Sequence, residues 1–387
     1  MTKPLIPSQT DPRAETLVSA DSLLATYERA GYARAHPAIL QPAEPFLDLS
    51  GEDIRARMFL TAGRAGEELC LRPDFTIPVS RDYLASSVAG RPQGYCYLGP
   101  VFRDRGALPG EFLQAGIESF GRADKAEADA ETLALGLAAT AHFGRTAPTV
   151  MTGDVALFTA LVSALDLAPG WKRRLVKDFN RKASLAQDLE RLTLHAPNGK
   201  ADYQGVLAAL AGSDPKAARA LVTDLLSIAG ISAVGGRTVG EIADRFLEQS
   251  TLGASAALPR DTHDLVVRFL GIGGTPDDAA IAMRKLAREG GLSLDAALDR
   301  FEARNADMKK RDIDMSRVAF SCAFGRGMDY YTGFVFELRD GASDEPLVAG
   351  GRYDDLLTRL GSPSPIPAVG FSVWIERLAA SLAGDAS

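Results

Sequence analysis

Apolar side chains recur at helical spacing over residues 17–31, LVSADSLLATYERAG, and the run stops on Gly31, a residue suited to ending a helix. The next stretch, Tyr32 to Leu47, holds Pro37, Pro42 and Pro45, which predicts extended or turning chain rather than helix. Residues 66–72 (GEELCLR), 94–103 (GYCYLGPVFR) and 111–120 (EFLQAGIESF) read as strands, the last two separated by the Gly/Pro loop DRGALPG. An Ala- and Glu-rich helix follows over 124–142, with Asp124 as a candidate N-cap. From about 155 to 305 the texture changes to Ala, Leu, Asp and Arg at helical spacing, with pieces at 155–166, 214–229, 238–248 and 276–289. Strands return at 317–323 (RVAFSCA) and 330–338 (YYTGFVFEL), which are β-branched and aromatic. Ala349–Gly350–Gly351 reads as a glycine-rich turn, followed by a helix over Tyr353–Leu360, a strand at 367–372 and a terminal helix from about Val373.

Two sheet-forming parts therefore bracket a helical stretch. The expected fold is α+β: a mainly antiparallel sheet flanked by helices, its first half at 15–153, a helical insertion at 154–305 and its second half at 306–387. A chain of 387 residues is long enough for two compact units. Apolar residues at 46% and charged residues at 24% are ordinary for a soluble globular protein.

Charge narrows the partners. With 43 basic and 50 acidic side chains the net charge is −7, without the basic excess of a protein that grips nucleic acid. Cys70, Cys96 and Cys322 show no paired spacing, which argues against a disulfide framework or a zinc site and for a reducing cytoplasm. His36, His142, His195 and His263 are too dispersed for a histidine-rich metal site, so no metal or other cofactor is expected. No apolar run approaches the ~20 residues that span a bilayer, and the polar first fifteen residues read as a disordered start without a signal-peptide core.

The hairpin 95–120 carries the most chemistry. Alternate strand residues share a face, so Phe112, Gln114, Gly116, Glu118 and Phe120 lie opposite Leu113, Ala115 and Ile117. Tyr95, Tyr97, Gly99, Val101 and Arg103 share a face of the other strand. One surface then presents Arg103, Gln114 and Glu118 around bare glycines, with Gly99 and Gly116 leaving space where a packed sheet would want side chains. A plain cross-strand salt bridge between Arg103 and Glu118 is the competing reading. In LRPDFTIP, Asp74 and Thr76 suit either an α-amino group or a helix N-cap. In Arg326–Glu337 a guanidinium, Tyr330 and Tyr331 suit a polar ring, while Phe334 and Phe336 suit a core strand.

Taken in order, these strings resemble the catalytic domain of histidyl-tRNA synthetase, a class II aminoacyl-tRNA synthetase, over about residues 15–150 and 305–380. AHPAIL around Pro37 resembles the first class II motif, which in the family builds the homodimer interface; GPVFR and QAGIESFG resemble the strands of the second motif. RGMDYYTGFVFEL resembles the histidine-specific motif, and PAVGFSVWIERL includes the third. The resemblance implies that Asp74 meets the α-amino group of histidine and that Thr76, Gln114 and Glu118 contact substrate. It also implies that Arg103 and Arg326 lie near the carboxylate and the reaction centre, and that Tyr330 and Tyr331 enclose the imidazole.

The departures matter as much. The family's second motif reads Arg-x-Glu, the Glu holding adenine; here the segment is Phe102–Arg103–Asp104–Arg105. The following loop, Gly106–Glu111, lacks the arginines that hold ATP phosphates. Trp374 stands for a small glycine and is expected to fill the adenine space, and the chain stops just after the third motif, before any anticodon-reading domain. That pattern resembles the regulatory subunits of ATP phosphoribosyltransferase, synthetase paralogues that work with a short catalytic subunit in histidine biosynthesis. It implies no catalytic residues, histidine as effector, and a homodimer within a larger hetero-oligomer. The alternative is an active histidine-adenylating enzyme without an anticodon domain, and a scaffold with an empty pocket is a third reading.

Overall fold

The computed structural model describes residues 12–193, 220–221, 223–225, 228, 259–341 and 345–384. Its strands are β1 (Ala33–Arg34), β2 (Leu40–Pro42), β3 (Leu60–Ala62), β4 (Glu68–Leu71), β5 (Gln93–Phe102), β6 (Glu111–Phe120), β7 (Thr149–Asp154), β8 (Gly273–Gly274), β9 (Val318–Ser321), β10 (Phe334–Arg339), β11 (Pro346–Arg352) and β12 (Ala368–Trp374). Nine form one sheet in the order β1-β5-β6-β12-β11-β10-β7-β9-β8, and β2-β4-β3 form a small second sheet. The large sheet is antiparallel except where β1 meets β5 and β7 meets β9. This is the expected α+β architecture.

Strand alternation divides the core. Ala115 and Ile117 of β6 point to the face covered by the Pro12–Arg29, Lys125–His142 and C-terminal helices, where Leu23, Tyr27, Leu133, Phe336 and Phe371 are buried. Phe112 and Phe120 point the other way, beside Tyr97, Tyr353 and the Thr76–Ala85 helix. Each such ring contributes roughly 1.5–3 kcal/mol when removed from water, so the register of β6 is fixed by both faces at once.

Several local expectations give way. Proline does not keep Tyr32–Leu47 free of helix: Pro45 sits in the first turn of a short helix, Glu44–Leu49, where no backbone N–H is needed. Asp124 caps nothing with its side chain, which pairs with Arg122 instead. Gly350 and Gly351 form no turn. They lie inside β11, where a side chain at either would collide with backbone of β12 or β10, and glycine is what lets those strands approach. The strand expected from Tyr330 begins at Phe334, so both tyrosines belong to the preceding loop. The helix expected over Tyr353–Leu360 is the single turn Leu356–Arg359, and the last helix starts at Ile375 after β12 has run to Trp374. The 238–248 piece, most of the 214–229 piece and residues 1–11 of the polar start lie outside the described residues.

The chain divides into a larger unit, Met1–Ala160 with Arg268–Ser387, and a smaller one, Leu161–Val267. The insertion drawn at 154–305 is thus wider than the smaller unit. In the larger unit, the Asp295–Lys310 helix is fastened to the sheet by buried charge. Arg304 lies 2.7 Å from Asp154 of β7 and 3.6 Å from Asp129, and Arg352 of β11 lies 2.7 Å from Asp129. In the smaller unit, Arg174 of the Pro169–Asp178 helix grips Asp188 of the Lys182–Thr193 helix, at 2.9 Å for one of its bonds, over buried Trp171 and Leu175.

Removing one partner of a buried pair leaves an uncompensated charge, costing about 3–5 kcal/mol. Arg304→Met is therefore expected to lower unfolding free energy by roughly that amount in urea titration; a change within about 0.5 kcal/mol would contradict the fastening role.

Candidate functional site

A cavity of about 280 Å³ opens on the sheet surface, and Asp74, Thr76, Arg103, Gln114, Arg326, Tyr330 and Tyr331 all line it. They arrive from different places. Gln114 comes from β6, Arg103 follows the end of β5, Asp74 and Thr76 flank the start of the Thr76–Ala85 helix, and the remainder sit on the loop before β10. Gly51 helps to place that loop. Its φ is +83°, and a Cβ there would meet Gly327 O at 2.9 Å, so only glycine lets the 51–55 turn close against it.

Asp74 takes the capping role raised by its sequence context and keeps one oxygen open. One oxygen accepts from the Ile77 N–H at 3.3 Å, capping the helix; the other is buried, with no hydrogen-bond partner within the chain. Burial raises its pKa, with nearby Arg103 opposing. Gln114 is 1% exposed, and neither amide atom has a hydrogen-bond partner. Arg326 has two buried nitrogens in the same condition; its nearest carboxylate oxygen, on Glu337, is 3.9 Å away. Arg103 donates to Pro73 O at 2.7 Å. Burial lowers its pKa, and Asp74 is the main opposing influence.

The Arg103–Glu118 salt bridge does not form. Glu118 is buried beneath the cavity rather than on its wall, accepting from Thr76 Oγ1 at 2.7 Å and from the Tyr353 hydroxyl. Its pKa is pushed up to about 8, by burial first, while the hydroxyl donors pull it down and Asp74 adds to the rise. Nor do Gly99 and Gly116 leave empty space. Arg72 and Phe75 lie over Gly99, and the Tyr97 ring lies against Gly116, stacked on Phe75 at 4.3 Å. The glycine whose bareness serves Glu118 is Gly370, where any Cβ would collide with the carboxylate.

Sequence reasoning missed Tyr353, read only as a helix start, and the Asp53–Arg57 turn, which reaches the cavity rim with its own ion pair. No local pattern marks either one.

A second cavity of about 460 Å³ adjoins the first and shares Arg57, Arg103, Trp374 and Arg377 with it. Trp374 lines both cavities. The 106–111 loop brings no cation, yet arginines from elsewhere do, and each is engaged. Arg105 lies over the Phe112 ring at 4.6 Å, 3.9 Å from Glu376, and Arg377 pairs with Glu345 at 3.0 Å while lying over Trp374. Among the described residues no group of three or more His, Cys, Asp and Glu side chains is placed to hold a metal ion, and no helix is long and apolar enough to cross a membrane.

The first cavity thus offers a carboxylate oxygen, an amide and a guanidinium within a volume that suits one small zwitterion. The sheet that carries it has the class II aminoacyl-tRNA synthetase architecture. Solved structures of that kind include an ATP phosphoribosyltransferase regulatory subunit/histidyl-tRNA synthetase from Bacillus halodurans, TM-score 0.64, 22% identical, covering 98% of this chain and 82% of that one. A histidine–tRNA ligase subunit from Alicyclobacillus acidocaldarius gives 0.59 at 23% identity, covering 100% and 97%. The family model described as histidyl-tRNA synthetase matches residues 5–238 and 219–378. Proteins named ATP phosphoribosyltransferase regulatory subunit from Brucella canis and Brucella suis are 42% identical over 350 residues, 90% of this chain and 92% of theirs. The chain belongs to this family of ATP phosphoribosyltransferase regulatory subunits.

The raised pKa of Glu118 has a signed consequence. Folding holds it protonated where the unfolded chain would ionise it, so the stability it allows is full below the ordinary value of 4.5 and is lost as pH rises to about 8. Glu118→Gln removes that loss. Its stability relative to the unaltered protein should climb between those pH values and level off above; a difference independent of pH would contradict the assignment.

Proposed function

We propose that this chain is the non-catalytic regulatory subunit of an ATP phosphoribosyltransferase, required with a short catalytic subunit for the first step of histidine biosynthesis and for its inhibition by histidine. The observation that carries the histidine part is the set of buried, unpartnered polar atoms of Asp74, Gln114 and Arg326 on one small cavity. The ammonium of histidine would meet Asp74 and Gln114, its carboxylate would meet Arg326, and its ring would lie against Tyr330 and Tyr331. The catalytic partner rests on the family alone. Regulation then requires that histidine bind the active and inhibited states of the complex with different affinity.

Absence of adenylation is supported by the second cavity. Arg105 occupies the Phe112 ring face and Arg377 is spent on Glu345, so neither is idle for a triphosphate. The chain would work in the cytoplasm, without nucleic acid, as a homodimer in a hetero-oligomer. Ile39 and Leu40, exposed just after Pro37, and exposed Phe59 and Leu60 nearby in the small sheet support that dimer surface.

Mixing this chain with a short phosphoribosyltransferase subunit should raise its activity, and added histidine should then depress it; a short subunit equally active alone would contradict the proposal. In histidine-dependent exchange of pyrophosphate into ATP, this chain is expected to show no turnover, and clear exchange would instead favour the adenylating alternative.

A further inference from the structure

The helix pair of the smaller unit, Pro169–Asp178 and Lys182–Thr193, is basic within an acidic chain. Residues 169–193 hold seven basic and three acidic side chains, against a net charge of −7 for the whole. Two of its three carboxylates are spent inside the pair: buried Asp188 holds Arg174 at 2.9 Å, and Asp178 lies 3.6 Å from Arg181. Arg173 and Lys177 stand one helical turn apart, on the side of the first helix away from Trp171 and Leu175, and Lys182 opens the second helix. All three are exposed, and none has an ion-pair partner among the described residues. Solvated helix faces of the larger unit match such charges, as Arg284 does with Asp295, Asp299 and Glu302, and Lys309 with Asp277. Nor does Lys182 serve its own helix, because a cation in the first turn opposes the helix dipole.

We propose that Arg173, Lys177 and Lys182 make this helix pair a docking face for a protein surface of acidic side chains, carried by the catalytic subunit of the proposed function. This rests on the regulatory-subunit reading above and deepens it by giving the partner a face. A long polyanion fits less well. The acidic balance of the whole chain repels it beyond the patch, and the rings of the pair, Trp171 and Phe179, are buried, which leaves none to stack on bases. A compact acidic patch meets these cations alone, since charges separated by more than about 8 Å are largely screened at physiological salt. Exposed charges of opposite sign act chiefly on the rate of encounter, so the face steers the partner in more than it holds it.

The test is the association kinetics of the full chain with a short phosphoribosyltransferase subunit at low and at physiological salt. Combining Arg173→Glu, Lys177→Glu and Lys182→Glu is expected to lower the association rate constant about tenfold or more at low salt, with dissociation changed by less than about threefold. The slowing by added salt seen with the unaltered chain should vanish in this triple variant. Arg300→Glu, at an exposed position of the larger unit, should leave both rates within about twofold. Carbodiimide coupling, which joins lysine to carboxylate without a spacer, should link Lys177 or Lys182 to an acidic residue of the short subunit, and changing that residue to lysine should restore the triple variant's association. Should the triple variant not fold by circular dichroism, the three glutamine substitutions at the same positions decide the matter, with a drop of about threefold expected. Association indifferent to these variants would remove this face and leave the proposed function standing. Coupling to a second copy of this chain, or a DNA duplex whose binding falls in the triple variant while the short subunit binds as before, would overturn the choice of partner. A short subunit that never binds the unaltered chain would overturn the proposed function as well.

Discussion

A polar group buried without a partner costs about 1–3 kcal/mol, more if charged, and a stable fold tolerates few of them. Five atoms without a hydrogen-bond partner belong to Asp74, Gln114 and Arg326 around one small cavity, and others, among them Tyr27 Oη and Ser80 Oγ, lie elsewhere among the described residues. Much of the surrounding construction serves to hold those groups in place. Asp74 is fixed by capping a helix, Gln114 by its register in the large sheet between β5 and β12, and Arg326 by a loop that Gly51 allows to close. A site so prepared spends little on ordering itself when a ligand of matching polarity arrives.

Beneath this cavity a second tier of groups is satisfied internally. Glu118 accepts from Tyr353 and from Thr76, which reaches down from the cavity wall, and Tyr97 donates to Phe371 O at 3.1 Å. Beside it, the arginine-lined cleft is internally paired as well, through Arg105 with Phe112 and Glu376, and Arg377 with Glu345. The first cavity keeps atoms of Asp74, Gln114 and Arg326 open, while Arg105 and Arg377 beside them are paired.

The hairpin was legible in the sequence because strand alternation is local. Tyr97, Gly99, Gln114 and Glu118 share the surface that their spacing predicts, and the strands pair Gly99 with Gln114 and Tyr95 with Glu118. What escaped was non-local. Thr76 and Tyr353 stand 42 and 235 positions from Glu118, so no window of sequence shows that its carboxylate is already taken. Gly350–Gly351 read as a turn because a glycine pair usually is one; only the backbones of β10 and β12 reveal that it is a point of close approach. Pro45 misled for a related reason, since proline breaks a helix interior yet suits its first turn.

Whether the open polar atoms of this cavity recognise histidine is decided by an experimentally determined structure of the chain with histidine bound. Such recognition puts the ammonium on Asp74 and Gln114, the carboxylate on Arg326 and the ring beside Tyr330 and Tyr331. Histidine bound at a subunit junction, with those atoms still unpartnered, would contradict it.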